Sequence, residues 1–158
     1  MKIALIAHDG KKAEMVAFVM KRLDFFNRTD VDIVATGTTG KMIQNAGVDK
    51  VVTVNSGPMG GDAQIGGLVS EGLMDAVLFF RDPLGKHPHE PDIQMLMRLC
   101  DVHGVPLATN YRTAKYIVHY LSMKKSISCH VCGSTGEDVL YNPQDFYPYC
   151  SKHSPKNG

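Results

Sequence analysis

Short apolar runs alternate along this chain with stretches whose apolar residues recur every three or four positions, which predicts strands and helices in turn. Lys2 to Ala7 reads as a first strand. Lys12 to Phe26 reads as a helix with Met15, Phe18, Val19 and Leu23 on one face. Val31 to Ala35 is a second strand, Lys41 to Asn45 a short helix, and Val51 to Val54 a third strand. A helix over Ala63 to Leu73 contains glycines and so packs closely against a neighbour. Asp75 to Phe80 has the continuous apolar character of a strand buried on both faces. Asp92 to His103 is helical with Ile93, Leu96, Met97, Leu99 and Cys100 facing inward; Val105 to Ala108 is a fifth strand and Thr113 to Met123 a closing helix. Five repeats of strand and helix predict an α/β domain, a parallel sheet with helices on both faces.

The pattern breaks near Lys124, so the chain divides into a catalytic-sized domain over 1–123 and a loop-rich tail over 124–158. The tail carries Cys129-x2-Cys132 and, seventeen residues later, Cys150-x2-His153. Two paired half-sites at such spacing predict a closed, structural zinc site; the alternative is thiols without a metal. Cys100, on an apolar helix face, reads as core.

Composition removes several function classes. At 44% apolar residues and a net charge of +1, the chain has neither the basic excess of a nucleic-acid binder nor an acidic tail. No apolar run is long enough to span a membrane, and His8-Asp9 interrupts the first one too early for a signal peptide. A cytoplasmic protein is the expectation.

Ligands of such sheets bind beyond the carboxyl ends of the strands, and the unusual loops all fall there. His8-Asp9 follows strand one, with Lys12 just after it; Thr36-Gly37-Thr38-Thr39-Gly40 follows strand two. Ser56-Gly57-Pro58-Met59-Gly60-Gly61-Asp62 follows strand three, and Asp82-Pro83 through Asp92 follows strand four. Glycines, hydroxyls, helix-start amides and a lysine predict an anion site. Each residue also has a plainer reading. Asp62 and Asp92 suit helix starts, Asp9 and Asp82 suit turns, and threonine before a helix is an ordinary cap. The company of four aspartates beside an anion site favours chemistry. Asp62 is then a base acting on a phosphorylated substrate, and a histidine of His87-Pro88-His89 polarises its carbonyl. No histidine spacing here supports a catalytic metal.

Together these motifs, in order from Met1 to about Leu121, resemble the methylglyoxal synthases. The resemblance implies a three-layer flavodoxin-like fold and the conversion of dihydroxyacetone phosphate to methylglyoxal and inorganic phosphate, a glycolytic bypass. It implies a homohexamer without a catalytic cofactor. It assigns Asp62 as base, His89 to the substrate carbonyl and Asp92 to a supporting catalytic role. His8, Lys12, Thr36, Gly37, Thr38, Thr39, Ser56 and Gly57 would bind substrate, with Asp9 and Asp82 as supporting carboxylates. The family carries an arginine near its C-terminus that serves the phosphate site or communication between subunits, whereas here no arginine follows Arg112. A related domain without the Asp62, His89 and Asp92 set serves as an effector-binding module in carbamoyl phosphate synthetase, which is the alternative reading.

Overall fold

The computed structural model describes residues 1–86, 89–123, 131–132, 140–141 and 148–153. The chain divides into two compact units, Met1–Ile117 and Val118–Gly158. In the first, β1 (Lys2–Ala7), β2 (Asp32–Thr36), β3 (Val51–Val54), β4 (Ala76–Phe80) and β5 (Leu107–Ala108) form one sheet in the order β3-β2-β1-β4-β5. Every pairing in it is parallel. The helices are α1 (Lys12–Met20), α2 (Leu23–Phe26), α3 (Gly37–Asn45), α4 (Gly61–Ser70), α5 (Glu90–His103) and α6 (Tyr111–Met123), the last crossing the division between units. No helix among the described residues is long and apolar enough to cross a membrane.

The central strands are buried on both faces, and their residues sort by the two-residue period of a strand. Ala4, Ile6, Val34, Val77 and Phe79 pack with Ile65 and Val69 of α4 and Ile93, Leu96 and Cys100 of α5. Ile3, Leu5, Ile33, Leu78 and Phe80 fill the opposite side, where Phe18 of α1 meets Phe80 edge-on at 5.5 Å and Phe26 of α2 at 6.2 Å. Two helical layers around one sheet make this the expected three-layer flavodoxin-like fold.

The helix expected over Lys12 to Phe26 is broken. Arg22 leaves helical geometry at φ −140°, ψ 28°. Its guanidinium donates back to the Phe18 carbonyl at 3.0 Å and lies 4.1 Å from the centre of the Phe18 ring. Phe25 and Phe26, beyond the break, are buried in the core. The helices α3, α4, α5 and α6 all begin earlier than the apolar period indicates, and the early starts of α3 and α4 put Thr38, Thr39 and Asp62 at the site.

Candidate active site

The chain starts in the middle of the sheet, runs outward through β2 and β3, then returns to β4 on the other side of β1. The connections therefore part company between β1 and β4, and a crevice opens at their carboxyl ends. A cavity of about 430 Å³ lies there. Its floor is the strand ends Ile6, Ala7 and Phe79. Its walls include His8, Asp9, Lys12, Thr36, Thr38, Thr39, Ser56, Gly57, Asp62, Asp82 and His89, so loops distant in sequence converge as expected. Gly37 and Asp92 are not on the wall. Lys86, Gly10 and Pro58 are, and sequence reasoning did not single them out. A lysine in the loop after β4 was the available signal for the first of these.

Asp62 is positioned by glycine. After β3, Ser56 precedes a short 3-10 turn over Gly57–Met59 without a side-chain capping bond, and Gly60 takes the left-handed φ of 88° that starts α4. A Cβ on Gly61 would stand 2.0 Å from the Asn55 carbonyl oxygen, so only glycine lets the chain double back this tightly. Asp62 is consequently the second residue of α4, and Gly60, not Asp62, occupies the cap position. The carboxylate is fully buried, and neither oxygen accepts a hydrogen bond from the described residues. His89 Nε2 lies 3.4 Å from Oδ2. Burial drives the Asp62 pKa above the ordinary 3.8; the His89 ring opposes this and the Asp92 carboxylate reinforces it. Asp92 thus acts on the site through charge from the first turn of α5.

His89 is the cap residue of α5. The start of that helix is braced by Arg81, whose guanidinium sits 3.3 Å from Glu90 Oε1, and by Gln94, which donates to the same oxygen at 2.7 Å. The backbone of Gly57 closes over the pair: a Cβ there would lie 3.0 Å from both Asp62 Oδ2 and His89 Nε2. His87 and Pro88 lie outside the described residues. His8 is buried, edge-on to Phe79, and its Nδ1 accepts the Asp82 amide at 2.9 Å. An accepting Nδ1 leaves the ring proton on Nε2 of the neutral form. Asp82 itself closes a turn by accepting the Leu84 amide at 3.2 Å.

The opposite wall suits an anion. Thr36 is extended, and α3 begins at Gly37, four residues before the apolar period suggests. The run of threonines and glycines is therefore the first turn of a helix, whose leading amides have no intrahelical partner. Thr39 Oγ1 is buried without a partner among the described residues. Gly37 permits close approach, since a Cβ there would meet the Ser56 backbone at 3.2 Å. Lys12, the first residue of α1, is held 2.6 Å from the exposed carboxylate of Asp9. Amides at a helix start, hydroxyls and an ammonium are the groups that hold a phosphate.

In the second unit, β6 (Leu140–Tyr141) pairs antiparallel with β7 (Pro148–Tyr149), and Cys150 follows at once. Cys132 Sγ lies 3.8 Å from Cys150 Sγ, and His153 Nδ1 lies 3.2 Å from Cys150 Sγ. These three form the one group among the described residues whose ligand atoms cluster as for a metal ion. Cys129 lies outside the described residues. Cys100 is core as expected, its thiol pushed up to about 11 by burial.

A family model described as the MGS-like domain matches residues 15–109. The methylglyoxal synthase of Borrelia garinii subsp. bavariensis is 53% identical over 117 residues, covering 74% of this chain and 91% of that protein. That of Carboxydothermus hydrogenoformans is 52% identical over 123 residues, covering 77% of this chain and 99% of that protein. Among solved structures, the methylglyoxal synthase of Elizabethkingia anophelis superimposes with a TM-score of 0.67 at 41% identity, covering 74% of this chain and 76% of that one. The fold, the loops gathered at the carboxyl ends of the sheet and this degree of identity lead to one conclusion: the chain belongs to the methylglyoxal synthase family.

Proposed function

We propose that this protein is a carbon–oxygen lyase that converts dihydroxyacetone phosphate to methylglyoxal and inorganic phosphate. The observation that carries the reading is Asp62, a fully buried carboxylate without a hydrogen bond, 3.4 Å from His89 Nε2 and lining the same cavity as Thr38, Thr39 and Lys12. A buried carboxylate with a raised pKa is a stronger base than one in water. Asp62 takes a proton from the hydroxymethyl carbon. His89 and His8 donate hydrogen bonds to the oxygens of the enediolate as negative charge develops. The electron pair then expels phosphate from the neighbouring carbon, and the enol left behind becomes methylglyoxal. Expulsion requires the carbon–oxygen bond to stand perpendicular to the enediolate plane. Thr36, Thr38, Thr39, Ser56 and the amide of Gly57 are the groups that would impose that angle. Asp92 tunes Asp62 by charge, while Asp9 and Asp82 hold Lys12 and His8 in place.

Catalysis on this reading needs no cofactor, and the zinc expected in the tail at Cys129, Cys132, Cys150 and His153 is structural. Family membership supports a homohexamer acting in the cytoplasm, and sedimentation velocity checks the hexamer. The deciding experiment follows methylglyoxal and phosphate together from purified protein, beside Asp62→Asn. Equal release of both products, reduced about a thousandfold or more in the variant with phosphate binding retained, is the expected outcome. Saturable phosphate binding without turnover in the parent chain would favour the effector-module alternative.

A further inference from the structure

We infer that the tail beyond α6 is folded by a metal, built on a zinc site that takes Cys132, Cys150 and His153, the last through Nδ1, and that catalysis proceeds without it. The inference rests on the zinc reading of the tail and goes beyond it, because it makes the metal the source of the tail's structure.

Three observations carry it. The first is distance. Two thiolates on a tetrahedral zinc, each about 2.3 Å from the metal, stand about 3.8 Å apart. Cys132 Sγ and Cys150 Sγ are 3.8 Å apart, and neither cysteine is in a disulfide. The second is convergence. Cys132, which precedes β6, and Cys150, which directly follows β7, are brought together, while a turn in which the His153 amide donates to the Cys150 carbonyl at 2.9 Å folds the ring back onto the sulfur. All three ligand atoms lie within 4.8 Å of one another. Cys129 stands at the spacing of a Cys-x2-Cys half-site and would complete four ligands.

The third is size. A tail of roughly 35 residues is below the length under which disulfides, metals or association are usually needed for folding. Beyond the end of α6, the regular structure among the described residues is one pair of two-residue strands, and the Cys150 side of the cluster is buried. A zinc site of this kind contributes its binding free energy directly to folding. The site is also separate from the chemistry. The family match ends at residue 109, and every residue lining the cavity lies in the first unit.

The test uses the full chain, purified without chelator. Elemental analysis is expected to find about one zinc per chain, falling well below that in Cys150→Ser and His153→Ala. Removing the metal with a strong chelator should open the tail beyond Met123 to trypsin, identified by the masses of the fragments, and adding zinc back should restore resistance. The rate of methylglyoxal release should stay within about twofold throughout, because this metal supplies no group to the reaction. A metal-free protein, or a Cys132–Cys150 disulfide found by mass spectrometry, overturns the zinc reading and the inference together. Zinc present but removable without exposing the tail overturns only the folding inference. Activity that disappears with the metal and returns with it overturns the separation from catalysis. Absence of turnover in the zinc-loaded protein counts against the proposed lyase, not against the metal site.

Discussion

Asp62 concentrates the physical tension of this molecule. It is a carboxylate with no exposed surface and no hydrogen bond from the described residues, so its ionised form is held at a cost. Its native pKa lies above the ordinary 3.8, chiefly through burial. The native state therefore binds that proton more tightly than the unfolded chain, and ionising Asp62 lowers stability above pH 3.8. Asp62→Asn should be more stable than the parent at neutral pH. That advantage should fade as the pH falls through the native pKa toward 3.8, which denaturant titrations at several pH values would read. The same shift places the acid limb of the rate profile above the ordinary carboxylate value, and a limb at or below 3.8 would remove Asp62 as the titrating base. Gly57 supplies a second prediction at this scale. Its absent Cβ leaves room for Asp62 and His89, each of which would be 3.0 Å away. Gly57→Ala should cost about tenfold or more in turnover, since misplacement by a fraction of an ångström disturbs the reacting geometry. Its melting temperature should change little, because the groups displaced are side-chain ends at a cavity.

At the scale of elements, strands were easier to read than helix starts. The first strand has the expected bounds, and the fourth is apolar on both faces because helices cover both. Four helices, by contrast, begin earlier than their apolar period suggests. Their first turns carry Gly-Thr-Thr-Gly, Gly-Asp, Glu-Pro and Tyr-Arg. At α3 and α4, where the helix start lines the cavity, polar and small residues stand in place of apolar ones, and the periodic signal vanishes at the turns that form the site. The aspartate was legible as a helix-start residue, but a cap and a buried base differ only in where the side chain points. Gly61 decides that difference. Gly61→Ala would drive a methyl group into the Asn55 carbonyl at 2.0 Å, a backbone atom that cannot swing aside. We expect a loss of about 3 kcal/mol in denaturant unfolding, together with lost activity as α4 shifts.

At the scale of the whole molecule, the sheet is the rigid frame that keeps four loops in register. Leu5 sits in its central strand, fully buried and paired on both sides. Leu5→Ala should cost about 2–5 kcal/mol, read as a lower denaturant midpoint, with catalytic constants unchanged at temperatures where the variant stays folded. The repeating alternation of apolar strand and amphipathic helix determined by itself that a parallel, doubly covered sheet would form, because no other arrangement buries those faces. It also determined which loops would share one end, since parallel strands place all their carboxyl ends together. The strand order was not in the pattern: local periodicity carries no information on which strands are neighbours, and only packing set β1 between β2 and β4. Likewise the residue types of the site were written in the sequence, but the burial of Asp62, its 3.4 Å approach to His89 and the 3.8 Å separation of two tail sulfurs were not. Those belong to the tertiary structure, because desolvation and distance arise only when segments remote along the chain are brought into contact.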